Sequence, residues 1–265
     1  ENKVKSIALS DTSNLCGALE FADNLSKVGT QPIIGTQINF KYKEVIGLLP
    51  LFAMNAEGYK RIIELSSKSY LENSETTDPH CNLDYLLNNS SGVIALTGSI
   101  KCLIGVLFSK GLFQEIDDIL KKLSTKFKDN IYLEIQRHQD SNEKDFENFI
   151  LNLSKKFNLP IIASNEVYYL EPSMHEAHDA LMCIGQKTYV NDVNRIKLSN
   201  QHYLKSSDEM IDLFKDLPEA LENNFNFPYK FSYRPKKSKP VIPTVGFSGT
   251  RNIDEDLKIQ ASQGL

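Results

Sequence analysis

The sequence predicts an α/β fold in which a parallel sheet is covered by helices, closed into a barrel or arranged as a doubly wound sheet. Three observations lead to this prediction. Short apolar stretches alternate with amphipathic stretches of helical period, the alternation repeats roughly five or six times, and polar residues follow the ends of the apolar stretches. Strands that alternate with helices are typical of parallel sheets.

The first strand-helix-strand unit shows the pattern. A strand at residues 7–9 ends on polar side chains, a helix over about residues 15–28 stops at Gly29, and the next strand starts near residue 32. Catalytic and binding residues of such sheets usually lie at the carboxyl ends of the strands. The first candidate residues at these ends are Asp11, Thr12 and Gln37.

The remaining elements follow in order. Proline has no backbone N–H to donate to a neighbouring strand, so Pro50 predicts that its strand is at an edge or broken. Asn55 is a predicted helix cap. Residues 233–245 are rich in proline and lysine and are predicted to be extended. Strands are predicted at residues 45–53, 92–96, 131–137 and 159–163, and helices at residues 57–71, 82–87, 101–109, 113–127, 145–157, 175–184, 207–214, 218–223 and 253–263.

Composition excludes several classes of function. The chain has 265 residues, a hydrophobic fraction of 41% and a net charge of −4, so no global basic field indicates nucleic-acid binding. No apolar run is long enough to span a bilayer and no signal peptide is present. Four scattered cysteines without a CxxC pair indicate reduced thiols in a cytoplasmic protein. The start at Glu1, without an initiator Met, predicts a fragment.

Strand residues 131–138 carry the first candidate site. Glu134, Gln136 and His138 share one face at period two, which is typical of an interior site or of a structural hydrogen-bond network. The network is the favoured interpretation. Glu166 and Tyr168 share a face in the same way, but tyrosine is a poor replacement for the imidazole and carboxylate ligands of zinc or manganese.

Two further groups are weaker candidates. His175 and His178 lie one helical turn apart beside Asp179 and could chelate a metal, although helical histidines are more often cap or packing residues. The basic residues near the end of the chain are more often a solvated run than a nucleic-acid site. They are Arg234, Lys236, Lys237 and Lys239. No P-loop, GxSxG or GxGxxG motif is present.

Several stretches together resemble a known family. They include IALSDTSNLCGALEF, GVIALTGS, IYLEIQRH, LPIIASNEVYYLEPSMHEAHDALMCIGQKT and HYLKSSDEMIDLFKDLPEALENN. The chain is similar over nearly its whole length to the N-terminal polymerase-and-histidinol-phosphatase (PHP) domains of bacterial DNA polymerase III alpha subunits. The resemblance implies a distorted, TIM-like (β/α) barrel with its first strand missing, followed by an extended C-terminal strap. The implied domains are a barrel with its helices at residues 1–225, a linker at residues 226–252 and the start of the polymerase side at residues 253–265.

The resemblance also implies where a metal site would lie, and this sequence departs from the family there. Thr12 replaces a histidine, Gln37 stands where glutamate is common, and Ser99 stands where cysteine or histidine is. Glu166 and Tyr168 take the positions of an Asp and a His ligand. The former metal-site positions are Asp11, Thr12, Gln37, Ser99, Glu134, His138, Glu166 and Tyr168. Neutral amides and hydroxyls do not offset the desolvation of a divalent cation, so we expect a degenerate site without metal.

Three hypotheses follow. The first is a structural module that braces the polymerase III core and binds its proofreading exonuclease subunit. In it the parent chain is a DNA-directed DNA polymerase that contacts DNA and uses Mg²⁺ in its palm, and no membrane is involved. The second is an active metal-dependent phosphoesterase or exonuclease, with zinc or manganese held by Asp11, Glu134, His138 and Glu166. The third is a direct DNA contact through Arg234, Lys236, Lys237 and Lys239.

Overall fold

The computed structural model describes residues 4–73, 77–240 and 253–264, and it confirms the α/β class. These residues divide into two compact units after Pro235. The strands are β1 (Ser6–Thr12), β2 (Gln31–Tyr42), β3 (Val45–Ala53), β4 (Cys81–Asn82), β5 (Val93–Leu96), β6 (Ile131–Gln136) and β7 (Ile161–Ser164). The helices are α1 (Ala18–Lys27), α2 (Ala56–Leu71), α3 (Leu83–Asn88), α4 (Leu103–Ser109), α5 (Phe113–Phe127), α6 (Glu143–Phe157), α7 (His175–Gln186), α8 (Ser207–Leu213), α9 (Pro218–Asn226) and α10 (Ile253–Gly264).

The strands form one sheet in the order β1-β2-β3-β5-β6-β7, with β4 paired to β2, and this sheet curls into a half-barrel. The prediction of a wholly parallel sheet is wrong, because β3 runs antiparallel to both β2 and β5. Only Lys43 and Glu44 join β2 to β3, and Lys43 has a φ of +51°. A connection this short makes a hairpin, whereas a parallel pair needs a long crossover.

The prediction that Pro50 marks an edge or a break is also wrong. β3 is continuous and lies between two neighbours. Pro50 faces Gln37 of β2, whose carbonyl accepts instead from the backbone N–H of Ser13 at 2.7 Å. On the other side, the pairing with β5 begins only at Leu51. Proline is tolerated because neither neighbour requires its missing N–H.

The helical predictions agree closely with the structure. α5 has the predicted bounds, and the side chain of Asn55 caps α2 by accepting from the backbone N–H of Gly58 at 2.9 Å. Gly58 is needed at this crossing, since a Cβ there would lie 1.8 Å from the carbonyl oxygen of Gly92. No helix within the described ranges has both the length and the apolar character needed to cross a membrane.

Amide side chains of α9 cover the free edge of β7. Asn224 accepts from the backbone N–H of Ala163 at 3.0 Å and donates to its carbonyl at 2.7 Å. Asn223 donates to the carbonyl of Ile161 at 2.7 Å. These side chains satisfy backbone groups that a neighbouring strand would otherwise pair.

The residues directly after α9 pack within the first unit. Phe227 and Phe231 are buried against Phe52, and Gln31 donates to the carbonyls of Phe231 and Pro228 at 3.1 and 3.0 Å. Residues 231–240 contain no helix or strand, and the rest of the predicted strap, residues 241–252, lies outside the described residues. The domain division predicted at residues 225 and 252 stays a prediction.

Candidate functional site

A small polar cavity lies at the carboxyl ends of β6 and β7. Its volume is about 20 Å³, which is room for roughly one water molecule. The lining is rich in carboxylates and includes Ser99, Lys101, Glu134, Gln136, His138, Asp140, Glu143, Glu147 and Glu166. The fold therefore brings together half of the predicted positions, namely Ser99, Glu134, His138 and Glu166.

Glu134 is buried and takes part in a hydrogen-bond network. Its Oε1 accepts from Gln136 Nε2 at 2.8 Å and from the hydroxyl of Ser164, while its buried Oε2 accepts no hydrogen bond from the described residues. Burial raises the pKa of Glu134, and the two hydrogen bonds oppose that rise. This is the structural network that the strand pattern predicts for the face shared by Glu134 and Gln136.

His138 is buried, and both of its ring nitrogens face protein groups. Nε2 lies 3.2 Å from the backbone nitrogen of Glu166 and 3.1 Å from Asn165 Oδ1. Nδ1 lies 3.5 Å from Glu143 Oε1. Whether Nε2 accepts the Glu166 N–H or donates to Asn165, that nitrogen is used inside the protein.

His202, which the sequence analysis does not identify, completes the cluster. Its ring stacks on His138 with centroids 4.0 Å apart, and its Nδ1 donates to the carbonyl of Glu166 at 3.0 Å. Nε2 is buried, has no hydrogen-bond partner among the described residues and lies 3.6 Å from Asp140 Oδ2. Burial and the neighbouring His138 lower the pKa of His202. The lowered pKa favours the neutral ring, in which Nε2 carries a lone pair.

Tyr168 lies beside Glu166 as a partly buried phenol. Burial first, and then the Glu166 carboxylate, raise the pKa of Tyr168. Its ring lies 5.4 Å from that of His202 and 5.3 Å from that of His178. The phenol stays protonated and contributes packing and a hydrogen bond.

Four predicted positions, Tyr168 among them, do not line the cavity as far as the structure describes it. Asp11 and Thr12 have exposed side chains at the end of β1, and Gln37 Nε2 donates to the carbonyl of Ser10 at 3.2 Å. Gln37 Oε1 lies 3.9 Å from the sulfur of Cys102. Burial raises the pKa of Cys102 to about 12, so this thiol is neutral too.

His175, His178 and Asp179 do not converge on a common point. His175 Nε2 donates to the carbonyl of Leu198 at 3.1 Å, and His178 packs on two tyrosine rings. Asp179 accepts both hydrogen bonds of a bidentate pair with Arg195, at 2.5 and 2.7 Å. The packing interpretation of these histidines agrees with the structure.

The predicted basic residues are all exposed. Arg234 lies in the first unit, whereas Lys236, Lys237 and Lys239 lie in the second. Their role in DNA binding stays a prediction.

The polar side chains, as placed, do not suit the divalent ions that the resemblance implies for active relatives. Across residues 4–73, 77–240 and 253–264, no three His, Cys, Asp or Glu side chains are arranged to hold an ion. Oε1 of Glu134 and Nε2 of His138 are engaged within the protein. Divalent ions require several charged or imidazole donors at once.

Comparison with known proteins identifies a family match. The family model described as "PHP domain" matches residues 1–138. DNA polymerase III subunit alpha of Caulobacter vibrioides is 32% identical over 278 aligned residues, covering 100% of this chain and 24% of the relative. The subunit of Rickettsia conorii is 32% identical, covering 100% and 22%. The subunit of Vibrio cholerae is 30% identical, covering 98% and 23%.

The chain therefore spans about a quarter of the length of the curated relatives it matches. A crystal structure of a Bifidobacterium adolescentis protein, provisionally named a metal-dependent phosphoesterase, aligns with a TM-score of 0.40. It is 10% identical, and the alignment covers 62% of this chain and 77% of that one.

Proposed function

Because this chain belongs to the PHP domain family, we propose that it is the PHP domain of a DNA polymerase III alpha-type chain and serves there as a structural and binding module. The parent chain would be a cytoplasmic DNA-directed DNA polymerase. Nucleotidyl transfer, its Mg²⁺ and the main DNA contacts would belong to the parent's palm. Identities of 30–32% over nearly the whole chain to alpha subunits support this proposal.

The second part of the proposal is that the PHP metal site is degenerate. The observation that carries it is the cavity network. In this network, neutral protein groups bond to side-chain atoms that would otherwise be free to bind a metal ion. Glu134 bonds to a hydroxyl and an amide, His138 faces a backbone N–H and an amide oxygen, and Tyr168 remains a protonated phenol. Such a network keeps its geometry without a cation.

The metal content of the purified chain tests this part. We expect zinc and manganese well below one ion per chain by mass spectrometry, before and after incubation with either metal. Two or more tightly held ions per chain would overturn the proposal of a degenerate site.

The binding role is supported by an apolar surface on α7 and the loop that follows it, which we call the α7 surface. Its side chains are 56 to 94% exposed and are Leu181, Ile184, Tyr189, Val190, Val193 and Ile196. The Asp179–Arg195 pair ties the loop back to the helix. Large exposed apolar residues concentrated in one segment of a chain are typical of a protein-binding surface. We propose the proofreading exonuclease subunit as its partner.

Binding of the purified exonuclease subunit to the chain, followed by surface plasmon resonance, tests the partner. Replacing Leu181 and Ile184 together by Glu should weaken binding by at least about tenfold, as expected for residues at the centre of an interface. The matched control is Leu71→Glu, a change at an apolar residue that is 83% exposed at the end of α2. Equal affinity of both variants and the unchanged chain would show that the α7 surface is not the interface.

One observation favours a metal-dependent phosphoesterase as a second candidate. Glu134 Oε2 and His202 Nε2 are buried acceptors without partners among the described residues, and a bound cation could satisfy either of them. If so, hydrolysis of a p-nitrophenyl phosphate ester should depend on added manganese, and Glu134→Gln should abolish it. Activity that is absent with every metal, or unchanged in the variant, would exclude this candidate.

Direct DNA contact through the basic residues remains a third proposal. Exposure of Arg234 and the three lysines is compatible with phosphate binding. The affinity for duplex DNA should then fall linearly on logarithmic axes with salt concentration. Replacing Lys236 and Lys239 by Gln should reduce that slope.

A further inference from the structure

A second cavity lies away from the polar site, in the groove between α3 and α5. We call it the α3–α5 groove. It has a volume of about 540 Å³ and shares no lining residue with the cavity at β6 and β7. Its walls are formed by Asp84, Leu87 and Asn88 of α3 and by Lys121, Lys122, Thr125 and Lys126 of α5.

The three lysines give the α5 wall a concentrated positive charge. Lys121, Lys122 and Lys126 are exposed, and the ion pairs formed by the described residues include none of them. Two of the three carboxylates near the start of α5 pair elsewhere, Glu115 with Lys43 and Asp117 with Lys156. Lys122 Nζ lies 5.2 Å from the ring centroid of Tyr42, so the charges of Lys121 and Lys126 are the most available to a ligand.

The α3 wall offers a different chemistry. Leu87 belongs to the main apolar core, is 6% exposed and gives the groove a small apolar contact. The Asn88 side chain is exposed, and its amide can both donate to and accept from a peptide backbone. Thr125 brings little polarity, because its hydroxyl donates to the carbonyl of Lys121 at 2.7 Å.

We propose that the α3–α5 groove binds an acidic peptide segment that also carries an apolar side chain. Its carboxylates would lie along the lysines of the α5 wall, and its apolar side chain would contact Leu87. A nucleic acid fits less well, since the groove has no aromatic lining residue on which a base could stack. The inference goes beyond the proposed module, because it does not depend on the parent being a polymerase.

Fluorescence anisotropy with a short labelled peptide tests the proposal. The peptide contains glutamates around a central leucine, and the whole chain is used. Binding should weaken as salt rises, and replacing Lys121, Lys122 and Lys126 together by Ala should weaken it roughly tenfold, as expected for the loss of three exposed charge pairs. The matched control replaces Lys60, Lys144 and Lys155, which are exposed lysines on α2 and α6, and should keep the original affinity.

A second measurement does not depend on the variants. Carbodiimide cross-linking joins peptide carboxylates to lysine amines, and digestion with mass spectrometry then locates the bonds. Cross-links concentrated on Lys121, Lys122 and Lys126 would support the proposal. It would be overturned by equal weakening in both triple variants, by cross-links spread evenly over surface lysines, or by tighter binding of a single-stranded oligonucleotide than of the peptide at the groove.

Discussion

Phe231 tests whether the segment after α9 belongs to the core of the first unit. Its side chain is 6% exposed, and its ring centroid lies 4.9 Å from that of Phe227 and 6.5 Å from that of Phe52. Edge-to-face contacts of this kind add to the stabilisation from apolar burial. Phe231→Ala removes the ring but keeps the backbone carbonyls that accept from Gln31.

The expected loss comes from packing alone. A buried phenylalanine removes about 150 to 250 Å² from water, which at about 25 cal/mol per Å² corresponds to roughly 4 to 6 kcal/mol. Measured Phe→Ala changes in cores cost about 3 to 5 kcal/mol. Because the ring lies at the end of the sheet where neighbours can partly close around the gap, we expect about 3 kcal/mol for Phe231→Ala. In a unit of this size that corresponds to a fall in Tm of roughly 6 to 12 °C.

Guanidinium chloride unfolding of the whole chain, followed by circular dichroism, measures this change. The control is Tyr229→Ala in the same turn, where the side chain is 78% exposed, and there we expect a loss of at most about 0.5 kcal/mol. Equal losses for the two variants would refute the packing argument. A boundary at residue 225 would then fit the folded unit better than one after Pro235.

Three further predictions concern single groups. Burial raises the pKa of Glu134 above its unfolded value, so the unchanged chain loses stability as pH rises through the folded-state pKa, and Glu134→Gln should be the more stable form at neutral pH. Asn224→Leu should cost about 1 to 3 kcal/mol, because it removes two hydrogen bonds to the edge of β7. Ellman's reagent should modify the exposed Cys16 rapidly and the buried thiols slowly, Cys102 among them, since burial raises its pKa to about 12.

Each of these predictions has its own control. The advantage of Glu134→Gln should vanish below about pH 4.5, the unfolded value, and an advantage independent of pH would contradict the buried-charge argument. Asn226→Leu alters an exposed asparagine of α9 and should leave stability unchanged. All four thiols should react at similar rates once the chain is unfolded; equal rates in the folded chain would contradict the burial of three of them.

Periodicity predicted most of the secondary structure, because α5 and α2 carry long, strongly patterned stretches. It could not predict the antiparallel course of β3, which depends on a two-residue turn that positive φ at Lys43 allows. The prediction for Pro50 was wrong for a related reason. A proline destabilises a strand only where a neighbouring strand needs its missing N–H, and that depends on the strand register, which the sequence does not show.

The candidate site was predicted in part. Period two was enough to group Glu134, Gln136 and His138, which all line the cavity although β6 ends at Gln136. His202 stands in a stretch without regular period, far along the chain from His138, and only the fold stacks the two rings. Asp11 and Thr12 were predicted from their place at the carboxyl end of a strand, and the resemblance named the same positions, but the structure leaves both side chains exposed.

The polar cluster also links the candidate site to the segment that carries the α7 surface. The hydroxyl of Ser199 donates to the carbonyl of His138 at 2.5 Å, His202 donates to the carbonyl of Glu166, and Asn165 donates to the carbonyl of Tyr203 at 2.7 Å. These bonds tie the ends of β6 and β7 to residues 199–203, at the far end of the segment that carries the α7 surface.

On the proposed interpretation, side-chain hydrogen bonds replace the cross-links that metal ions supply in active relatives. Each neutral hydrogen bond contributes only about 1 kcal/mol, but several in one buried network fix a single arrangement. A domain that binds partners instead of hydrolysing esters needs that fixed arrangement and not the ion. On this proposal, Thr12, Gln37 and Tyr168 at the former metal-site positions are compatible with a retained fold, because partner binding would depend on the residues that orient the α7 surface.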